Sequence, residues 1–173
     1  LGQGDLTGTS ANRGQAAPRA DTLRSPSAVL VDADSLYVSD AGNSRVLRWN
    51  SAVPASGQGA DGVLGQTSLT VGSTPAGATT SSLSSPQGLA AMAGVLYVAD
   101  SAFHRVLRFA APPTQNGAAA ISVIGQPSLT IGTPNSGGLT GDRLYGPNAV
   151  VRTEAWVYIA DTDNSRVVAL PAP

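Results

Sequence analysis

SPSAVLVDADSLYVSDAGNSRVLRWN, residues 25–50, is the stretch that decides the fold, because the chain repeats it twice. Its counterparts are SPQGLAAMAGVLYVADSAFHRVLRFA at residues 85–110 and GPNAVVRTEAWVYIADTDNSRVVALP at residues 146–171. Four residue types keep their places in every copy, namely Pro26, Tyr37, Asp40 and Arg45, then Pro86, Tyr97, Asp100 and Arg105, then Pro147, Tyr158, Asp161 and Arg166. A fixed period of about sixty residues predicts one structural unit stacked on copies of itself.

The sequence of each unit predicts short β-strands rather than helices. After each opening proline, an apolar run leads through short turns into segments such as SLYVSD and RVLRWN, whose apolar residues alternate as in strands. A shorter motif, LGQ at residues 1–3 and 64–66 and IGQ at residues 124–126, also repeats and marks an outlying strand. In the first unit, residues 62–65 supply this fourth strand. Four antiparallel strands per unit are typical of a β-propeller blade. We therefore predict an all-β chain of three blades, one domain over residues 1–173 with repeat units at about 1–61, 62–122 and 123–173.

The first strand of each unit is predicted to lie innermost, where the strands of a propeller converge. One position of this strand holds only small residues, namely Ala28, Gly88 and Ala149. A proline precedes each of these strands, which suits an edge whose backbone faces a channel.

The copies LYVSDAGNSRVLRW, LYVADSAFHRVLRF and VYIADTDNSRVVAL resemble the NHL repeat. That pattern is a proline, an aliphatic strand, (L/V)Y(V/I)-x-D, a short turn and N-H-R-V; here Phe103 stands where the pattern has Asn. The resemblance implies β-propeller blades, commonly six to a ring, so the three blades would form half of a ring. The long LGQ-containing connections resemble those of secreted or surface-attached bacterial proteins. Relatives include scaffolds, RNA-binding modules and a few lyases, so the fold alone predicts no activity.

The two ends of the chain carry complementary parts of a blade. Leu1, Gly2 and Gln3 repeat the fourth-strand motif, whereas the last copy stops after a third strand that contains Val168 and Leu170. Propellers need about four to eight blades to close, so we expect something else to complete the ring. A second copy of the chain, a missing second half of the propeller, or head-to-tail strand exchange into an open assembly would each do so.

Composition excludes several classes of function. A net charge of −1 gives no strong field for nucleic acid or anionic membranes, and no apolar run approaches the roughly twenty residues that span a bilayer. The chain has no cysteine, which excludes disulfides, thiolate metal sites and cysteine nucleophiles. Arg13, Arg19 and Arg24 make one connection basic, but no aromatic residues are interleaved with them. We therefore expect no nucleic-acid partner and no membrane span.

The repeated Asp–Arg pairs are interpreted as structural ion pairs across four-residue turns: Asp40 with Arg45, Asp100 with Arg105, and Asp161 with Arg166. An enzyme with one site seldom needs the same pair in every blade, so repetition favours turn stabilisation over an acid–base dyad. His104, the only histidine, stands where the other copies have Ser44 and Ser165, and is interpreted as part of the hairpin. We assign no catalytic residue and expect no metal or cofactor.

The candidate binding residues follow the strand-opening prolines: Ser27, Gln87 and Asn148. At the mouth of a channel they would hydrogen-bond a peptide or glycan, or hold water. Together these observations predict a non-enzymatic recognition or assembly module of the bacterial cell surface or exterior, working by β-strand complementation between its ends. The alternative is a metal-dependent lyase or lactone hydrolase of propeller type, with its site partly in an absent half.

Overall fold

A computed structural model describes residues 1–172. In these residues there is no α-helix, and eleven strands form three antiparallel sheets, which confirms the predicted all-β class. Sheet 1 contains β1 (Pro26–Asp32), β2 (Ser35–Asp40), β3 (Arg45–Trp49) and β4 (Gly62–Leu64). Sheet 2 contains β5 (Pro86–Met92), β6 (Val95–Asp100), β7 (Arg105–Ala110) and β8 (Ser122–Ile124). Sheet 3 contains β9 (Pro147–Arg152), β10 (Trp156–Asp161) and β11 (Arg166–Pro171).

The sheets are offset from the predicted repeat units. The strands of the LGQ and IGQ motifs close the sheet before them, because β4 pairs with β3 and β8 pairs with β7. Residues 1–3 form no strand, since no third strand lies beside them in residues 1–172. The predicted domain end, residue 173, lies outside the described part of the chain.

The three sheets stack face to face in chain order and form the hydrophobic core between them. Between sheets 1 and 2, Tyr37, Val46 and Leu64 meet Leu96, Val98, Leu107 and Phe109. Between sheets 2 and 3, Tyr97, Ala99 and Val106 meet Val150, Val157, Ile159 and Val168. Each sheet thus has one face directed to the preceding sheet and one directed to the following sheet, which we call its leading face and its trailing face.

The first strands of the three sheets lie side by side, with β5 between β1 and β9. At Gly88 the approach is close, because a Cβ there would lie 2.7 Å from the Cα of Ala149 and 2.9 Å from the carbonyl oxygen of Asn148. The small residue at this position is therefore required by a neighbouring backbone. Within residues 1–172 the sheets do not close on themselves.

None of the helical turns in residues 1–172 has the length or the apolar character to cross a membrane.

Candidate functional site

The three predicted Asp–Arg pairs all form, with the same geometry. In each, the arginine Nε lies 2.7 Å from the aspartate Oδ2 across the turn between the second and third strands of a sheet. The side chains of Asp40, Arg45, Asp100 and Arg105 are fully buried, as is that of Asp161. Arg166 alone is 29% exposed.

Each pair also holds the connection that leads into its sheet. In sheet 2 the other Asp100 oxygen accepts the backbone N–H of Ser84 at 2.6 Å, and Arg105 donates to the carbonyls of Ser82 and Leu129. Arg45 makes the corresponding bonds to Thr22 and Leu69. Because backbone groups accept from these arginines and donate to these aspartates, the pairs stabilise the turns.

The charge state of Asp100 reflects two opposed effects. Burial raises the pKa of its carboxyl to about 6, while the Arg105 guanidinium and the Ser84 N–H favour the charged form and pull the pKa back. The Asp100–Arg105 pair is therefore stabilised by its close contact and its hydrogen bonds, because burial disfavours an Asp100 carboxylate that has no partner.

His104 ends the turn of sheet 2 in a left-handed conformation, φ 52°, as Ser44 and Ser165 do in the other sheets. Its Nδ1 accepts the backbone N–H of Gly146 at 3.1 Å, and its ring stands edge-on to Tyr145 with 5.1 Å between centroids. Burial lowers the pKa of His104, while Asp163 acts in the opposite direction. The side chain thus joins sheet 2 to the connection before sheet 3.

The proposed channel-mouth residues lie on adjacent first strands. Ser27 Oγ donates to the carbonyl of Pro86 at 2.9 Å, and Gln87 accepts at its carbonyl from Ser39 Oγ at 2.7 Å. Both contacts join sheet 1 to sheet 2. Asn148, the third member, is exposed on β9.

The predicted assembly ends lie on different sides of the stack. Leu1 is 42% exposed, and Gly2 packs against Leu23 as Gly65 packs against Leu83. At the other end, Val168 is buried and Leu170 half-buried, both against sheet 2. β11, which contains them, has no fourth strand beside it in residues 1–172, whereas β3 and β7 do.

The trailing face of sheet 3 is an apolar surface that sequence reasoning missed. Tyr158 is 39% exposed although Tyr37 and Tyr97, its counterparts, are each 1% exposed. Val167 is 69% exposed although its counterpart Val106 is 0% exposed. Val151 adds a third exposed side chain to this face. The register of the hairpins, with Tyr158 beside Val151, would have identified the set.

Sheet 1 exposes the opposite, leading face at its first strand. Val29 is 71% exposed, whereas Val150, at the same position of sheet 3, is 4% exposed beneath sheet 2. Val31 is also exposed. Sheet 3 therefore exposes its trailing face, whereas sheet 1 exposes its leading face only along β1, because the apolar residues of β2 and β3 on that face are buried.

Among residues 1–172, no three histidine, aspartate or glutamate side chains group in a way that could hold a metal ion.

Comparison of the chain with protein-family models and with curated proteins finds no match.

Proposed function

We propose that the chain is an assembly module of the NHL-type β-propeller class, in which a second copy covers sheet 3. The observation that supports this proposal most is the exposure of Tyr158 and Val167, whose counterparts are buried wherever a following sheet is present. Removing apolar surface from water stabilises an interface by about 25 cal/mol per Å². On the basis of the NHL resemblance, we propose that the module lies outside the cell or on the surface of a bacterium.

The two internal interfaces serve as templates for the proposed contact. At each of them a trailing face carrying the motif tyrosine and valine packs on a leading face. In the proposed assembly, Tyr158 and Val167 of one copy pack on Val29 and Val31 of the other. Two copies related by a twofold axis make this contact twice and bring six sheets into one ring, the number typical of the resembling family.

In the proposed assembly, strand complementation adds backbone hydrogen bonds to the contact between the two copies. Leu64 pairs with Val46 in sheet 1 and Ile124 pairs with Val106 in sheet 2. Leu1 is the counterpart of Leu64 and Ile124, and Val167 is the counterpart of Val46 and Val106, so Leu1 of a second copy belongs beside Val167. The unpaired N–H and C=O groups along the edge of β11 would then receive partners.

Light scattering on the full chain tests the proposal. We expect a particle of twice the 17.3 kDa chain mass, and a single chain for Val167→Lys, because a lysine on the covered face leaves a buried charge without a partner. Leu6→Lys is the matched control, since Leu6 is fully exposed but lies on neither sheet face. A parent chain that stays a monomer, or a Val167→Lys variant of unchanged mass, contradicts the proposal.

No observation on residues 1–172 favours the alternative of a metal-dependent lyase or lactone hydrolase.

A further inference from the structure

A cavity of about 260 Å³ lies between the outer strands of sheet 1 and the connection that follows β7. Val46 and Leu64 form its apolar floor, and its polar lining consists of Tyr37, Arg48, Asp61, Thr114, Gln115 and Asn116. The volume suits a ligand of about the size of one sugar unit, somewhat below that of a drug-sized molecule.

The rim of the cavity is fixed by two hydrogen bonds between β4 of sheet 1 and the connection that follows β7. Val63 N–H donates to Asn116 Oδ1 at 3.0 Å, and Gly117 N–H donates to the Val63 carbonyl at 2.9 Å. Gly117 has a φ of +63°, a conformation that side chains disfavour. The connection is thereby held over the cavity, with Thr114 and Gln115 at its mouth.

The arginine in the cavity lacks the partner that its counterpart has in sheet 2. Arg108 Nη1 donates to Ser122 Oγ at 2.9 Å, the residue directly across on β8. Arg48 has Gly62 directly across on β4, and in the described residues its side chain makes no hydrogen bond or ion pair. A half-buried guanidinium is thus left with free donors that face a cavity.

Tyr37, beside Arg48, also lacks the hydrogen-bond partner that its counterpart in sheet 2 has. In sheet 2, Arg152 Nε donates to the Tyr97 hydroxyl at 3.1 Å from the neighbouring sheet. In sheet 2 the residue equivalent to Arg152 is Ala91. It packs near Tyr37, and its side chain has no hydrogen-bond donor for the Tyr37 hydroxyl. Two substitutions, glycine for serine and alanine for arginine, therefore distinguish the surroundings of Arg48 and Tyr37 from those of their counterparts in sheet 2.

We propose that this cavity binds a small hydroxylated monocarboxylate of the sugar-acid class. The planar guanidinium of Arg48 suits a carboxylate, which it can hold through two parallel N–H bonds. The carboxylate of Asp61, with the amides and hydroxyl of the rim, suits ligand hydroxyls, and the apolar floor suits a C–H face of a ring. Asp61 would repel a ligand that carries a second negative charge, so the cavity disfavours inorganic phosphate.

Calorimetric titration with D-glucuronate, D-glucose and inorganic phosphate tests this proposal on the full chain. We expect glucuronate to bind with a Kd of about 1 mM or lower, and glucose and phosphate to bind at least about tenfold more weakly. Amide signals of Val63 and Gly117 should shift on binding, because their hydrogen bonds frame the cavity.

Three variants assign the binding to the cavity. Arg48→Gln should weaken glucuronate binding by about tenfold or more, since a charged hydrogen-bond donor is lost. Gly62→Ser gives Arg48 the partner that Arg108 has, and should also weaken binding. Ser122→Gly, the reverse change in sheet 2, is the matched control and should leave the Kd within about twofold.

Each contrary result would overturn the proposal: no glucuronate binding up to about 10 mM, equal binding of glucose or phosphate, or an unchanged Kd in Arg48→Gln. Equal weakening in Gly62→Ser and Ser122→Gly would do so too. A dispersed amide spectrum shows that each variant is folded. The cavity lies between sheets 1 and 2 of one chain, so these outcomes are independent of the oligomeric state.

Discussion

Sheets 2 and 3 carry the same motif and bury it to different extents. Tyr97 and Val106 are almost inaccessible to solvent under sheet 3, whereas Tyr158 and Val167 are exposed. The first three strands, the turn and the Asp–Arg contact distance nevertheless correspond between the two sheets. The motif therefore determines the geometry of its own sheet, while the burial of its trailing face depends on a neighbour. This difference can be tested at the ion pair, at the packed backbone and at the single histidine.

The largest effect is expected at the buried ion pair. Arg105→Met leaves Asp100 without its partner in a fully buried site and removes the donor to Ser82, so it should lower the free energy of unfolding by about 3–5 kcal/mol. Arg166→Met in sheet 3 should lower it by only about 1–2 kcal/mol, because water reaches this partly exposed guanidinium.

Urea unfolding of the two variants measures both losses, at a concentration where the chain is monomeric. Equal losses for Arg105→Met and Arg166→Met would show that the neighbouring sheet does not determine the strength of the pair.

A smaller effect is expected where β5 meets β9. Gly88→Ala places a Cβ 2.7 Å from the Cα of Ala149, and backbone atoms cannot rotate aside, so the two strands must separate. We expect a loss of about 1–3 kcal/mol in the free energy of unfolding. Gly141→Ala is the matched control, because a Cβ there meets no atom within 4 Å and the backbone is not left-handed. A loss equal to that of the control would contradict the close approach of the two strands.

The smallest effect is expected for the pH dependence at His104. Burial lowers the pKa of His104 below its usual 6.5, so below that pH the unfolded chain takes up a proton before the folded one does, and stability falls. Asp100, whose pKa is raised to about 6, acts in the opposite direction, because the folded chain takes up its proton first.

Replacement by the residue found in the other sheets separates the two groups. His104→Ser keeps the contribution of Asp100, so its free energy of unfolding should fall less than that of the parent between about pH 7.5 and pH 5, by under about 1 kcal/mol. Thermal or urea unfolding at several pH values measures the difference. Identical pH profiles would mean that the pKa of His104 is not lowered in the folded chain.

The sequence allowed the strands and their order to be predicted, because the alternation and the turns repeat three times. It also predicted a fourth strand at residues 62–65, which the structure has at residues 62–64, and the need for a small residue at position 88, because the other two copies have alanine there. The exposed trailing face was missed, since its identification needs the hairpin register and the stacking order of the sheets together.

The cavity was missed for a different reason. Its rim and its floor lie far apart in the chain, and Asn116 meets Val63 across 53 positions. Nothing in the local sequence of Arg48 indicates that Gly62 removes its partner, because that relation depends on pairing between β3 and β4. Side-chain contacts such as that of Asn116 with Val63 cannot be predicted from the repeat pattern alone.

The hydrogen bonds of Val63 have a consequence for solubility. Asn116 and Gly117 occupy both outward backbone groups of this residue, so β4 offers no template on which another chain could add a strand. Val123, its counterpart on β8, has no such partners in residues 1–172, and β8 is less buried than β4. Misassembly of this protein at high concentration should therefore begin at the outer edge of sheet 2 or at β11, and sheet 1 should be resistant to it.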